Sequence, residues 1–124
     1  MTTELPGQSF APDILAQPIE LADPAAITEL VAGANRTVVF FEMSGCPYCV
    51  ACKSRFADLV QERPDLAFLR VKLDDPRHPL WSLYAIHAVP TVIAFERGAI
   101  IARADAILAL GLSKKRWEEF RAGL

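Results

Sequence analysis

Thr37-Val38-Val39-Phe40-Phe41-Glu42-Met43-Ser44-Gly45-Cys46-Pro47-Tyr48-Cys49 decides the fold of this chain. Its first half is β-branched and aromatic with almost no polar interruption, so Thr37 to Met43 reads as a strand buried on both faces. From Pro47 to about Glu62, Cys49, Cys52, Phe56, Leu59 and Val60 cluster on one helical face, opposite Ser54, Asp58, Gln61 and Glu62. Pro64 ends that helix. Two thiols therefore sit at the start of a helix that follows a buried strand. Cysteines at i and i+3 on a helix have Cβ atoms about 5–6 Å apart, and bridged Cα atoms lie about 4.4–6.8 Å apart. The pair can switch between dithiol and disulfide with little backbone movement. The free N–H groups and dipole of the helix start favour a thiolate on Cys46, which makes it the attacking sulfur. Cys49, one turn further in, suits the resolution of a mixed disulfide by attack on Cys46.

The same spacing supplies half of a zinc site, but no second CxxC or His-x-x-x-His follows, and His78 and His87 form no ligand pair. Neither metal nor cofactor is expected. Two buried cysteines acting as small hydrophobes remain the plain structural alternative.

Working outward, Ala67 to Leu73 reads as the next strand. Pro79 to about Ile86 reads as a short helix carrying Leu80, Trp81, Leu83 and Tyr84. Val92 to Phe95, the turn Glu96-Arg97-Gly98 and Ile100 to Arg103 form a hairpin. Ser113 caps a last helix with Trp117, Phe120 and Leu124 on its apolar face. Upstream, Ile19 to Leu21 is a short strand, and Asp23-Pro24 caps a helix with Ile27, Leu30, Val31 and Ala34 at helical spacing. Four of the nine prolines fall in the first 24 residues, so residues 1–18 read as an irregular tail and 19–124 as one domain. The fold class is α/β, with a central mixed β-sheet flanked by helices on both faces.

A chain of 124 residues, 52% hydrophobic, has room for one core and not for two. A formal charge of −2 leaves no basic patch for nucleic acid or an anionic membrane. Met1 to Pro18 has neither a cationic start nor a continuous apolar stretch, so neither a leader nor a membrane anchor is expected there. A reducing cytoplasmic setting follows, where a lone CxxC is redox-active rather than a staple. A monomer is expected.

With these elements in order, the chain resembles the thioredoxin superfamily from about Ile19 to Leu124. The matching features are the strand ending in Cys46-Pro47-Tyr48-Cys49, the segment Tyr84-Ala85-Ile86-His87-Ala88-Val89-Pro90-Thr91, the hairpin at Phe95-Glu96-Arg97-Gly98, and the closing Leu112-Ser113-Lys114-Lys115 helix. The body is thioredoxin-like, and the Pro47-Tyr48 dipeptide is similar to that of glutaredoxins. The resemblance implies a cis peptide at Pro90, facing the cysteines, with Val89 pairing with a bound substrate strand. It also implies a buried acid and a lysine on the two strands before and after the motif helix; at the matching places stand Phe40 and Val71, so that pair is expected to be missing. The implied activity is thiol:disulfide oxidoreduction on protein or small-molecule disulfides, with electrons from a reductase or a low-molecular-weight thiol. The alternative is a binding or redox-sensor module on the same scaffold, which uses the CxxC as a sensor or metal clip.

The remaining candidates divide between chemistry and packing. Cys52, on the apolar face, reads as core, with regulatory oxidation as the alternative. Tyr48, beside the reactive sulfur, either contacts substrate or packs over Cys49. His87 is a substrate-side candidate able to bias Cys46 when protonated, weighed against an ordinary exposed loop histidine. Glu42 lies two residues after Phe40 and points to the same side, one pleat nearer the cysteines. It is either a solvated strand-end carboxylate or a carboxyl in a partly apolar setting that exchanges the proton of Cys49.

Overall fold

The structure is a computed structural model that describes residues 19–33 and 35–124. The expected tail over residues 1–18, and Ala34 at the end of the first helical pattern, lie outside the described residues. Strand β2, Arg36–Glu42, is buried from Thr37 onward because each of its faces carries its own core. Val38 and Phe40 pack with helix α2, Pro47–Glu62, and helix α4, Lys114–Ala122. Val39 and Phe41 pack on the other side with helix α1, Pro24–Val31, and the short helix α3, Leu80–Leu83. An uninterrupted apolar strand is what such double coverage demands.

Strand β3, Ala67–Lys72, pairs parallel with β2, and β4, Thr91–Glu96, pairs antiparallel with its other edge. Strand β1, Ile19–Leu21, lies parallel outside β3, and β5, Ala99–Asp105, antiparallel outside β4. The order is β1-β3-β2-β4-β5, the mixed sheet with helices on both faces that the pattern predicts. Phe56 links the sheet to α2, its ring centroid 5.0 Å from that of Phe40 and 5.6 Å, edge-on, from that of Phe68. Each such pair adds about 0.5–1.5 kcal/mol beyond the area it buries.

Several local expectations change. Helix α3 covers four residues only, because Ala85 turns left-handed at φ 51° and Ile86 N–H closes back on the Trp81 carbonyl. Leu83 is consequently exposed, and Trp81 is half-buried with its indole N–H donating to the Asp75 carbonyl. Helix α1 ends at Val31 and leaves Leu30 exposed. Asp23 stands at its N-cap but makes no side-chain cap bond. Leu124 lies beyond the end of α4, partly buried against the core. The hairpin turn is two residues, Arg97 at φ 51° and Gly98 at φ 83°, the left-handed pair that matches the twist of the strands. No helix among the described residues is long and apolar enough to cross a membrane.

Candidate active site

The strand directions bring four loops to one end of the sheet. β2 runs into the Cys46 motif, and β3, parallel to it with Lys72 opposite Glu42, delivers Leu73 and Asp74 alongside. β4 runs the other way with Thr91 opposite Phe41, so residues 87–90 enter at the same end. Asp105 opposite Thr91 then sends residues 106–112 back over it.

Cys46 is the N-cap of α2, and its Sγ accepts the backbone N–H of Cys49 at 3.1 Å. The position combines an extended cap residue with Pro47 at the first turn, where a missing N–H costs nothing. Cys46 is half-exposed and Cys49 buried, and both are free thiols. Burial, first, and then the hydrogen bond with Cys46 push the Cys49 thiol up to about 12; the charges of Cys46 and Glu42 add to this, and a backbone hydrogen bond involving Met43 opposes it. One sulfur is thus presented to solvent on the Cys49 N–H at the helix start, while the other is held as a protonated thiol one turn beneath. Such a pair can attack a disulfide and then resolve the mixed species.

The turn before the motif is tied to β3. Ser44 donates its N–H to Asp74 Oδ1 at 2.8 Å and its hydroxyl to Oδ2 at 2.7 Å. The Ser44 N–H, then its hydroxyl, hold the Asp74 carboxyl below the usual carboxylate range. Gly45 follows at φ 72°, a left-handed step that only glycine takes freely.

The setting of Glu42 differs from both expectations. Its carboxylate is buried, with side-chain exposure of 4%, accepting Arg70 Nε at 2.8 Å and lying 3.9 Å from Lys53 Nζ. It is neither solvated nor in an apolar setting. The reason is register: Arg70 stands opposite Phe40 and reaches one pleat along, while α2 brings Lys53 over the same face. Phe40 and Val71 are indeed buried and apolar. The acid and lysine of those two positions are absent as expected, and a different ion pair, Glu42 with Arg70, lies beside them. Glu42, Cys46, Cys49 and Lys53 all line a cavity of about 260 Å³.

On the other flank the Val89–Pro90 peptide is cis. Ala88, Val89 and Cys46 pack against one buried cluster, and the Pro90 carbonyl accepts Ala106 N–H at 3.0 Å. His87 is exposed on this loop, and no hydrogen bond among the described residues joins it to Cys46. Tyr48 reaches toward residues 109–111. Its hydroxyl donates to the Ala109 carbonyl at 2.8 Å, and its ring fills the notch above Gly111, where a Cβ would come within 2.6 Å of Tyr48 Cδ1. Cys52 is buried in the core, where burial pushes its thiol up to about 11. Among the described residues no three metal-ligating side chains gather. Ser44, Asp74 and Arg70 carry no functional signal in the sequence, apart from the charge of Arg70 inside the apolar run of β3, and Lys53 reads there as a solvated helix-face residue.

A mixed five-stranded sheet with a dithiol at the helix start after the central strand, beside a cis-proline loop, defines the class of thioredoxin folds. No protein-family model matches the chain. It is 35% identical over 81 residues to the protein "Thioredoxin-like 1-1, chloroplastic" of Oryza sativa subsp. japonica, a stretch covering 65% of this chain but only 28% of the rice protein. It is 28% identical over 78 residues to thioredoxin of Mycoplasmoides gallisepticum, covering 63% of this chain and 77% of that one. Among solved structures, the long form of thioredoxin f from spinach chloroplast superposes with a TM-score of 0.71 at 20% identity, covering 94% of this chain and 93% of that one. Thioredoxin f2, solved in complex with ferredoxin:thioredoxin reductase, has a TM-score of 0.69 at 17% identity, covering 88% and 93%. The chain has the thioredoxin fold.

Proposed function

We propose that this protein is a thiol:disulfide oxidoreductase. The Cys46 thiolate attacks one sulfur of a substrate disulfide and the other leaves as a thiolate. Cys49, once deprotonated, attacks Cys46 Sγ, which closes the Cys46–Cys49 disulfide and releases the second substrate thiol. Two electrons pass to the substrate, and a reductase or a low-molecular-weight thiol returns them. The observation that carries the reading is the Cys46 sulfur seated on the Cys49 N–H at the start of α2, with Cys49 buried one turn below. Among the described residues no hydrogen bond occupies the Val89 backbone, which supports its pairing with an extended substrate segment beside Pro47, Tyr48 and Pro90. The relative crystallised with its reductase supports a protein electron donor. A reducing compartment such as the cytoplasm suits this direction of transfer.

Insulin reduction driven by dithiothreitol tests the assignment. Wild type should turn over, Cys46→Ser should not, and Cys49→Ser should accumulate a mixed disulfide on Cys46. Stoichiometric oxidation without turnover would replace the enzyme by a redox-sensor module.

A further inference from the structure

The loop that carries the cis peptide is pinned through its carbonyls. The Pro90 carbonyl accepts Ala106 N–H at 3.0 Å, and the Ala88 carbonyl accepts the Thr91 hydroxyl at 2.7 Å. Thr91 is fully buried at the start of β4, so its hydroxyl must find its acceptor within the protein. Among the described residues the only cis peptide is Val89–Pro90, so the Ala88–Val89 peptide is trans. The C=O and the following N–H of a trans peptide point in opposite directions. With the Ala88 carbonyl held inward on Thr91, the Val89 N–H is turned outward, and no acceptor among the described residues takes it.

A second acceptor competes for the Thr91 proton. Thr91 stands opposite Asp105 in the β4–β5 ladder, and Asp105 Oδ1 lies 3.5 Å from Thr91 Oγ1. A hydroxyl has one proton to donate, and a free carboxylate accepts it more strongly than a carbonyl does. Arg103, two residues back along β5 and so on the same face, answers that competition. Its Nε donates to Asp105 Oδ2 at 2.9 Å and its Nη2 to Oδ1 at 2.8 Å, so the oxygen nearest Thr91 is already engaged. A longer bond, 3.4 Å, runs from Nη2 to the Ala85 carbonyl at the start of the same loop. Both side chains of the pair are partly exposed, where an ion pair adds little stability. What it changes is the acceptor that Thr91 meets.

We propose that Thr91 is a positioning residue that aims the Val89 N–H at a carbonyl of the substrate backbone, and that Arg103 keeps it in that role by occupying Asp105. The inference rests on the oxidoreductase reading. Its ligand is an extended polypeptide segment beside the disulfide, recognised by its backbone whatever its side chains. Thr91 and Arg103 act through Val89 and not on the reacting sulfurs.

Two disulfides test this with the full chain: a cystine peptide with extended segments on both sides of the bridge, and the small aromatic disulfide DTNB, which has no backbone to pair. The ratio of kcat/KM for the peptide to that for DTNB should fall about three- to ten-fold in Thr91→Val, the worth of one hydrogen bond. The fall should lie mainly in KM, and Thr91→Ser should recover the ratio. Arg103→Met should lower the same ratio, and R103M/D105A, which also removes the competing carboxylate, should restore it. Should Thr91→Val not fold, the two Arg103 variants decide alone. A merely structural loss would depress both substrates alike, hold the ratio, and make R103M/D105A worse than Arg103→Met. That pattern, or an absence of recovery in Thr91→Ser or in R103M/D105A, would overturn the positioning role while wild-type reduction of DTNB upheld the oxidoreductase. No reduction of DTNB by wild type would overturn both.

Discussion

Replacing Glu42 by glutamine isolates the proton step. In the reduced protein burial and the hydrogen bond with Cys46 push the Cys49 thiol up to about 12, so at neutral pH it is held as the protonated thiol. In the mixed disulfide Cys46 has neither charge nor a free sulfur, and both its contributions to that shift disappear, which leaves burial and the Glu42 charge. Glu42→Gln then acts in two opposite directions. Removing the charge eases ionisation of Cys49; removing the carboxylate takes away the one buried base lining the cavity that Cys49 also lines. A positioned base contributes about 10²–10⁴-fold, more than a charge that ranks last among the causes of the Cys49 shift, so loss of the base should win. Stopped-flow measurement of mixed-disulfide decay at pH 7 should show resolution slowed by about ten-fold or more, with attack by Cys46 unchanged and Cys49 alkylation moved to lower pH. Glutamine can still hydrogen-bond Arg70, and the lost charge should cost about 1–3 kcal/mol of stability. Resolution unaltered across neutral pH would refute the relay and leave water to carry the proton.

The other expectations are more direct. Cys52→Ala should leave insulin turnover and reduction potential nearly unchanged and cost about 1 kcal/mol in urea unfolding through a small cavity; a Cys49–Cys52 disulfide in mildly oxidised protein, found by mass spectrometry, would contradict the packing role. Gly111→Ala should cost about 1–2 kcal/mol for the left-handed residue alone and, by driving out the Tyr48 ring, should raise Tyr48 accessibility to iodination. Unfolding lets the raised thiols of Cys49 and Cys52 return toward 9.0, so above that pH the native state holds more protons than the unfolded one. The reduced protein should therefore lose stability as pH rises from about 9 toward about 12, flat below 9 from this source, and Cys49→Ala should reduce the slope in a pH series of urea midpoints.

Helix α2 was legible to the residue, because a proline opens it and one apolar face runs its whole length. The mixed sheet with helices on both faces was legible too, since continuous apolar runs need cover on both faces. Helix α3 was overextended because the left-handed Ala85 has no sequence signal; nothing in Tyr84-Ala85-Ile86 announces it. The Glu42–Arg70 pair escaped notice for a different reason. Alternation along each strand places both residues on the cysteine side, but the pairing depends on inter-strand register and on α2 lowering Lys53 over the same face. The Tyr48–Ala109 bond joins residues 61 apart and had no local signature at all.

Cys52 lies on the face of α2 that packs against β2 and α4, so its side chain is uncovered only when α2 leaves the sheet. Cys46 meets reagents in the native state, whereas Cys52 waits for that opening. The two sulfurs therefore keep different clocks. Under a slow alkylating reagent the first modification reports chemistry at the helix start, and the modification of Cys52 reports how often α2 opens from the sheet, so a single mass-spectrometric time course reads both from one chain.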